Sequence, residues 1–289
     1  MAKGRNGIIV AERLKRLKSI VKKLRKGHAN NLLTMQDLGG CRVVVPTISD
    51  VYQYASDYDK SKKRHVRMPD DDYIMNPKAS GYRSLHRVYK YCSDRNPKYN
   101  GMLIEVQFRT HLQHIWATAV ETMGLFTGKD IKSGEGSPDV KRFFALVSSL
   151  FAIKEKQPVV PGTSDQIDEL VNELKTIESR RRYLDHLNGF KVVVEANLHQ
   201  YKRDPPYVIL FLDYKKKHLV VMPFKSSEIE TANVNYSEIE IGKDASRVDA
   251  VLVRVSSDIN ELKKAYPNYF SDIEEFVTLV KKYLEGDAS

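Results

Sequence analysis

Hydrophobic residues recur at helical spacing near the start of the chain. Leu14, Leu17, Val21 and Leu24 fall on one face, while Lys15, Ser19 and Lys23 lie four apart on roughly the opposite face. This spacing predicts a helix over residues 8–26. The β-branched run GGCRVVV, closed by Pro46, predicts a strand, and Ser49–Tyr58 predicts a helix opened by a Ser cap. KSKKRHVRMPDDDY (60–73) swings from basic to acidic and reads as a loop. Ser84–Tyr91 and Met102–Arg109 predict two strands joined by the turn DRNPKYNG. In the second strand Glu105, Gln107 and Arg109 alternate with Ile104, Val106 and Phe108, so one face is apolar and the other polar. Such a polar row is an expensive choice for a strand with only a structural role.

Helical patterns follow over His111–Phe126 and Val140–Lys154, then the stretch QPVVPGTSD (157–165), read as a linker, and a further helix ending near Gly189. Beyond it the character changes. YVILFLDY and KHLVVMPF predict a hairpin around Lys215–Lys217, DAVLVRVS another strand, and Asp258–Ala265 and Ser271–Leu284 two helices. AYPNYF (265–270) is aromatic-rich at a spacing that favours core positions. The expected fold class is α+β. A mixed-sheet domain flanked by helices spans 1–160, a connecting helix 161–189, and a smaller α+β module of unassigned role 190–289.

Composition narrows the function classes. The 289 residues are 42% hydrophobic and 29% charged, as expected of a water-exposed globular chain. The longest apolar run is VILFL (208–212), far short of the ~20 residues that span a bilayer. The N-terminus lacks the apolar core and cleavage pattern of a signal peptide, so a cytoplasmic location and no membrane partner are the default expectations. Two cysteines, Cys41 and Cys92, exclude a disulfide framework or a Cys-rich metal site. The net charge of +10 favours a polyanionic partner, although a merely basic surface satisfies the same count.

Several residues carry candidate chemistry. Asp37, just before one strand, and Glu105, on another, are hard oxygen ligands of the kind Mg²⁺ shares with substrate phosphates; surface carboxylates are common enough that the pair alone decides nothing. Lys15, Ser19 and Lys23, with Arg13 one turn earlier, suit a polyphosphate, although a solvated basic face is the commoner meaning of such a pattern. Tyr82 follows Gly81 in a predicted turn, where its ring is free to stack on a base or to enter the core. Lys78 and His86 flank it and suit phosphate contacts, although a lone His is more often a satisfied structural residue.

Taken in order, RLKRLKSIVKKL, MQDLGGCRVVV, DDDYIMNPKASGYRSLH and IEVQFRTHLQHIWATAVE resemble the synthetase domain of the RelA/SpoT family over about residues 13–125. The resemblance implies a nucleotidyltransferase-like mixed sheet. It implies an ATP-dependent pyrophosphokinase that makes (p)ppGpp from GDP or GTP, with Mg²⁺ as cofactor. On these motifs Arg13 and Arg42 would sandwich adenine, Lys15, Ser19 and Lys23 would hold the ATP phosphates, and Asp37 and Glu105 would bind the metal. Glu105, or Gln107 beside it, would position and help deprotonate the attacking hydroxyl. Tyr82 would stack on the acceptor base, with Lys78 and His86 on its phosphates. Asp72 lies in PDDD, an acidic form of a family signature without its leading Glu, which leaves Asp70 and Asp71 unassigned. The same motifs fit toxic relatives that modify the 3′-terminal adenosine of tRNA, and KSKKRH and RRR (180–182) are basic segments suited to a phosphate backbone. A non-catalytic nucleotide-binding regulator is the third reading. Homo-oligomerisation, and a protein regulator acting through the C-terminal module, complete the expected partners.

Overall fold

The computed structural model describes residues 8–15, 17–25, 27, 31–127, 129, 131, 135–189, 193–196, 207–213, 216, 218–242, 248–254, 266 and 273–287. The chain enters as strand β1 (Ile9–Leu14) and only then becomes helix α1 (Leu17–Arg25). The helix predicted over 8–26 is therefore corrected in its first half. β1 runs antiparallel to β2 (Gly39–Val45), with Ile9 opposite Val44 and Leu14 opposite Gly39. Pairing along that edge satisfies backbone groups of β2 that would otherwise need other partners, and this non-local gain outweighs a local helical period.

Helix α2 (Ile48–Lys60), the short strands β3 (Val66–Arg67) and β4 (Asp71–Asp72), and strands β5 (Leu85–Lys90) and β6 (Leu103–Thr110) complete the first sheet. Its order is β1-β2-β6-β5-β3, with β4 also on β5. β2 and β6 are parallel and the other pairs antiparallel, so the sheet is mixed as expected. The segment read as a loop over 60–73 thus supplies two short edge strands. The cap of α2 is Thr47 rather than Ser49: its hydroxyl accepts the Asp50 N–H while the Asp50 carboxylate accepts the Thr47 N–H, both at 3.1 Å.

The two faces of this sheet differ in chemistry. One packs Val43, Val45, Leu85, Tyr89, Val106 and Phe108 against Val51 and Ala55 of α2. On the other, register places Arg42 beside Gln107, Gln107 beside His86, and His86 beside Asp71. The alternation read from β6 is real, and the polar row extends across four strands.

Helices α3 (His111–Thr127), α4 (Pro138–Lys154), α5 (Ile167–Arg181) and α6 (Tyr183–Gly189) build a second core around Trp116, Phe143, Phe144, Phe151, Leu170 and Leu174. Residues 157–165 are not a loose linker: Val160 is fully buried, its N–H donates to Ser149 Oγ at 3.0 Å, and the Ser149 and Thr163 hydroxyls lie 2.7 Å apart. The helix predicted through to Gly189 breaks at Arg182, which adopts φ 52°, and the Glu178 carboxylate accepts the N–H groups of Tyr183 and Leu184 at 3.0 and 2.9 Å.

The second sheet joins β7 (Val193–Ala196), β8 (Tyr207–Asp213), β9 (His218–Phe224) and β10 (Val248–Arg254) in the order β10-β8-β9-β7. The expected hairpin is β8–β9; β7 and helix α7 (Ile229–Ile241) were not read from the sequence. The predicted helix Asp258–Ala265 lies outside the described residues, as does AYPNYF apart from Tyr266. The final helix, α8 (Glu274–Glu285), leaves the second sheet: Phe276, Val277, Val280 and Tyr283 enter the core of α3–α6. No helix among the described residues is long and apolar enough to cross a membrane.

Candidate active site

The parallel pair β2–β6 sets the site. Gly40 lies opposite Glu105, and a Cβ at Gly40 would sit 1.9 Å from the Glu105 carbonyl oxygen. Only glycine permits this approach, which brings the start of β2 and Asp37 just before it alongside Glu105. The Lys15 N–H donates to Leu38 O at 2.8 Å and fixes the entry to α1 beside the same strand end. From there Lys15 Nζ reaches Asp37 Oδ2 at 2.6 Å, and Lys23 Nζ reaches Asp37 Oδ1 at 2.9 Å. Burial pushes the Asp37 carboxyl up, but the hydrogen bonds and charges of Lys15 and Lys23 outweigh it and hold the group below the ordinary carboxylate range. Ser19 is half-buried on α1, one turn before Lys23. Lysines separated by eight positions are thus drawn onto one carboxylate. Arg42 is buried on β2 with Gln107 as its neighbour in register. Arg13 lies opposite Gly40 on β1, and its side chain is outside the described residues.

A turn built on Gly81 carries the other half. Gly81 has φ +88°, and a Cβ there would meet Trp116 Cζ2 at 2.9 Å and Ser148 Cβ at 3.0 Å. This turn buries the next residue: of the two directions open to it, the Tyr82 ring takes the core, only 4% exposed, and its hydroxyl lies 2.8 Å from His86 Nε2. His86 Nδ1 is 2.9 Å from Glu105 Oε1, and Gln107 Nε2 donates to Glu105 Oε2. His86 therefore engages both Glu105 and Tyr82. Lys78 sits 4.0 Å from the centre of the Tyr73 ring and close enough to Asp71, Glu105 and Lys23 to feel their charge; burial pulls its pKa down against the two carboxylates. It links the two halves of the site.

The structure adds residues that sequence reasoning missed. Half-buried Tyr73 meets Tyr82 and His86 edge-on at 5.9 and 5.1 Å and is hydrogen-bonded to Asp71; burial and that bond push its hydroxyl up to about 12. Asp71 faces the site through its register with His86. Alternation in DDDY was the available signal. Asp70 instead pairs with Arg67 and Arg87, and Asp72 accepts the N–H groups of Ile74 and Met75 and the Tyr52 hydroxyl. Arg83, next to Tyr82, is a buried tie to Ile74 O, Ser148 Oγ and Pro158 O at 3.2, 3.1 and 2.6 Å.

Both basic segments are partly neutralised within the chain. Lys63 lies over Tyr58 and Tyr89, Arg64 pairs with Asp94, Arg181 with Asp139, and Arg182 with Asp185. The second sheet's module touches the site region at two points: Glu240 of α7 accepts the Leu17 N–H that opens α1, at 2.6 Å, and the Tyr266 hydroxyl donates to Glu12 O at 2.5 Å.

Among the described residues no group of three or more His, Cys, Asp or Glu side chains is gathered for a metal. Asp37 and Glu105 still suit Mg²⁺, an ion that takes few protein carboxylates and completes its shell with phosphate and water oxygens.

Residues 12–125 match the family described as "Region found in RelA / SpoT proteins". The GTP pyrophosphokinase YjbM of Bacillus subtilis (strain 168) is 32% identical over 111 residues, covering 38% of this chain and 52% of the relative. YwaC, a second GTP pyrophosphokinase of that organism, is 32% identical over 111 residues, covering 37% and 52%. This chain thus spans about half the length of these two curated relatives. A crystal structure of the small alarmone synthetase 1 from Bacillus subtilis, bound to its product pppGpp, is 28% identical with a TM-score of 0.42, covering 51% of this chain and 73% of that one.

Proposed function

From the match of residues 12–125 to a region found in RelA / SpoT proteins, we propose that this chain is a nucleotide pyrophosphokinase that transfers the β,γ-pyrophosphoryl group of ATP to the ribose 3′-hydroxyl of GDP or GTP. The observation that carries the reading is the convergence of Lys15 and Lys23 on Asp37 at the strand end where β6 presents Glu105, with Lys78 near enough to Glu105 and Lys23 to feel their charge. Transfer of this kind asks for positioning and charge neutralisation more than covalent help, and this site is built of those elements.

Lys15, Ser19 and Lys23 bind the ATP phosphates, and Arg13 and Arg42 take the adenine. Lys78 meets the acceptor phosphates, and the acceptor base lies against the Tyr73–Tyr82 pair. The 3′-oxygen bonds to the β-phosphorus as the bond from that phosphorus to the α,β-bridging oxygen breaks. AMP leaves with that oxygen, and the hydroxyl proton passes to Glu105, held by Gln107. Asp37 and Glu105 would hold Mg²⁺, whose charge offsets that of the polyphosphate. A positioned base of this type contributes roughly 10²–10⁴-fold.

The partnering of KSKKRH and RRR inside the chain weighs toward a free nucleotide over a tRNA backbone. The C-terminal module is the regulator in this reading, because Glu240 and Tyr266 bring it to the α1–β1 region that meets ATP. Incubation with Mg²⁺ and ATP labelled at the γ-phosphate, offering GDP, GTP, ATP or deacylated tRNA separately, tests the proposal. Label in guanosine tetra- or pentaphosphate is expected. Label on tRNA or an adenine nucleotide would overturn the acceptor, and label in no acceptor would overturn the activity.

A further inference from the structure

Two adjacent serines in the apolar run of α4 have no part in the reaction as derived. Ser148 and Ser149 are both buried within FFALVSSLFA (143–152), where alanine would serve a helix better. A serine hydroxyl inside a helix often turns back to the carbonyl four residues earlier. For Ser148 that carbonyl is Phe144 O, which accepts the Trp116 indole N–H at 2.8 Å. The Ser148 hydroxyl leaves its own helix instead: it donates to Gly81 O at 2.7 Å and accepts the Arg83 Nε–H at 3.1 Å. We propose that Ser148 is a positioning residue for the Gly81 turn, holding Lys78 and Tyr82 where an acceptor nucleotide meets them. This role rests on reading that turn as the acceptor's. It puts a contact the site needs outside residues 12–125, the stretch shared with RelA / SpoT proteins.

The packing of the turn makes this one hydroxyl matter. Lys78 O accepts the Gly81 N–H at 2.8 Å and closes the turn. Its backbone lies directly on α4, since a Cβ at Gly81 would meet Ser148 Cβ at 3.0 Å and Phe144 O at 3.2 Å. Without the Ser148 hydroxyl, a buried carbonyl loses a donor and a buried guanidinium N–H loses its acceptor, which costs the desolvation of both groups. Relief comes only if one side moves. The helix is fixed by Phe143, Phe144 and Phe151 in the core, and Arg83 stays tied to Ile74 O and Pro158 O, so the turn is the part that shifts. Ser149 serves a different segment: its hydroxyl accepts the Val160 N–H at 3.0 Å and lies 2.7 Å from Thr163 Oγ1. Two neighbouring side chains of equal size and burial thus separate support of the turn from support of the fold.

Steady-state transfer and amide exchange on the full chain test this with Ser148→Ala and Ser149→Ala beside the wild type. In Ser148→Ala the KM for GDP rises about 10-fold, roughly one hydrogen bond's worth, while the KM for ATP and kcat at saturating GDP hold. Ser149→Ala, which removes contacts from the same helix, leaves the GDP KM where it was. Equal rises in both variants, or a fall in kcat with both KM values unchanged, would make Ser148 a core residue only and overturn the proposal. The second readout needs no activity. The Gly81 and Lys78 amides, bonded within the turn at 2.8 and 3.4 Å, exchange faster in Ser148→Ala but not in Ser149→Ala, while those of β2 and β6 keep their protection. Unchanged exchange in the turn overturns the proposal whether or not the protein transfers pyrophosphate. Faster turn exchange in a protein inactive toward every acceptor overturns the reading of the reaction and leaves Ser148 as the anchor of the turn.

Discussion

At the scale of single residues, hydrogen-bond type decides what each site group can do. Glu105 accepts from His86 and Gln107, so Glu105→Gln turns an amide hydrogen toward one of those donors and removes the base. Pyrophosphoryl transfer is expected to fall by roughly 10²–10⁴-fold or more, with the thermal unfolding midpoint little changed; activity close to wild type would remove Glu105 from the chemistry. Glu155 offers a pH test away from the site. Burial pushes its pKa above 4.5, against hydrogen bonds from Thr110 and Gln113 and the charge of Arg83. Since folding favours its protonated form, its contribution is fully present below the unfolded value and is lost as pH rises through the folded one. Glu155→Gln lacks that slope, so urea midpoints of variant and wild type should diverge in the variant's favour as pH rises from about 4.5 and then run parallel. A constant difference across that range would contradict the direction of the shift.

At the scale of elements, the β2–β6 contact carries the arrangement. Gly40→Ala places a methyl 1.9 Å from the Glu105 carbonyl and must part the two strands. Overpacking of this kind costs typically 1–3 kcal/mol, and transfer should fall beyond what the stability loss explains; an unchanged denaturation midpoint would refute the steric reading. The same elements show what was legible beforehand. β6 was readable because its period of two sets Val106 and Phe108 against Gln107 and Arg109 within one strand. β1 was not, because Leu14, Leu17 and Val21 continue a helical spacing and the partner that makes it a strand lies some thirty positions on. The motif residues around Gly81 were legible as a cluster, but the direction of Tyr82 was not. The turn that buries it packs at Gly81 against Trp116 and Ser148, which come from α3 and α4.

At the scale of the whole molecule, the chain folds back on itself. The Phe276 ring of α8 is fully buried, 6.0 Å from the Phe144 ring and 6.1 Å from Phe151, so the last helix completes the core of the first half. Phe276→Ala should cost about 3–5 kcal/mol, read as a lowered midpoint that takes signals from α3–α6 with it. Retention of full stability would mean that α8 is dispensable to that core. The Glu240 contact leads in another direction. Glu240→Ala removes the acceptor from the Leu17 N–H, and the regulatory reading expects a higher initial rate at sub-saturating ATP with the plateau unchanged. A rate equal to or below wild type would leave Glu240 as a helix cap only.

The central claim is that Asp37, Lys15, Lys23 and Glu105 form one pyrophosphoryl-transfer site. Its most direct test is a double-label stoichiometry, with ATP labelled at the α-phosphate in one reaction and at the γ-phosphate in another, run on wild type and Glu105→Gln with GDP. The account predicts one AMP released for each γ-label joined to GDP in the wild type, and neither product in the variant. Release of label as free phosphate or pyrophosphate, or equal joining by both proteins, would contradict it.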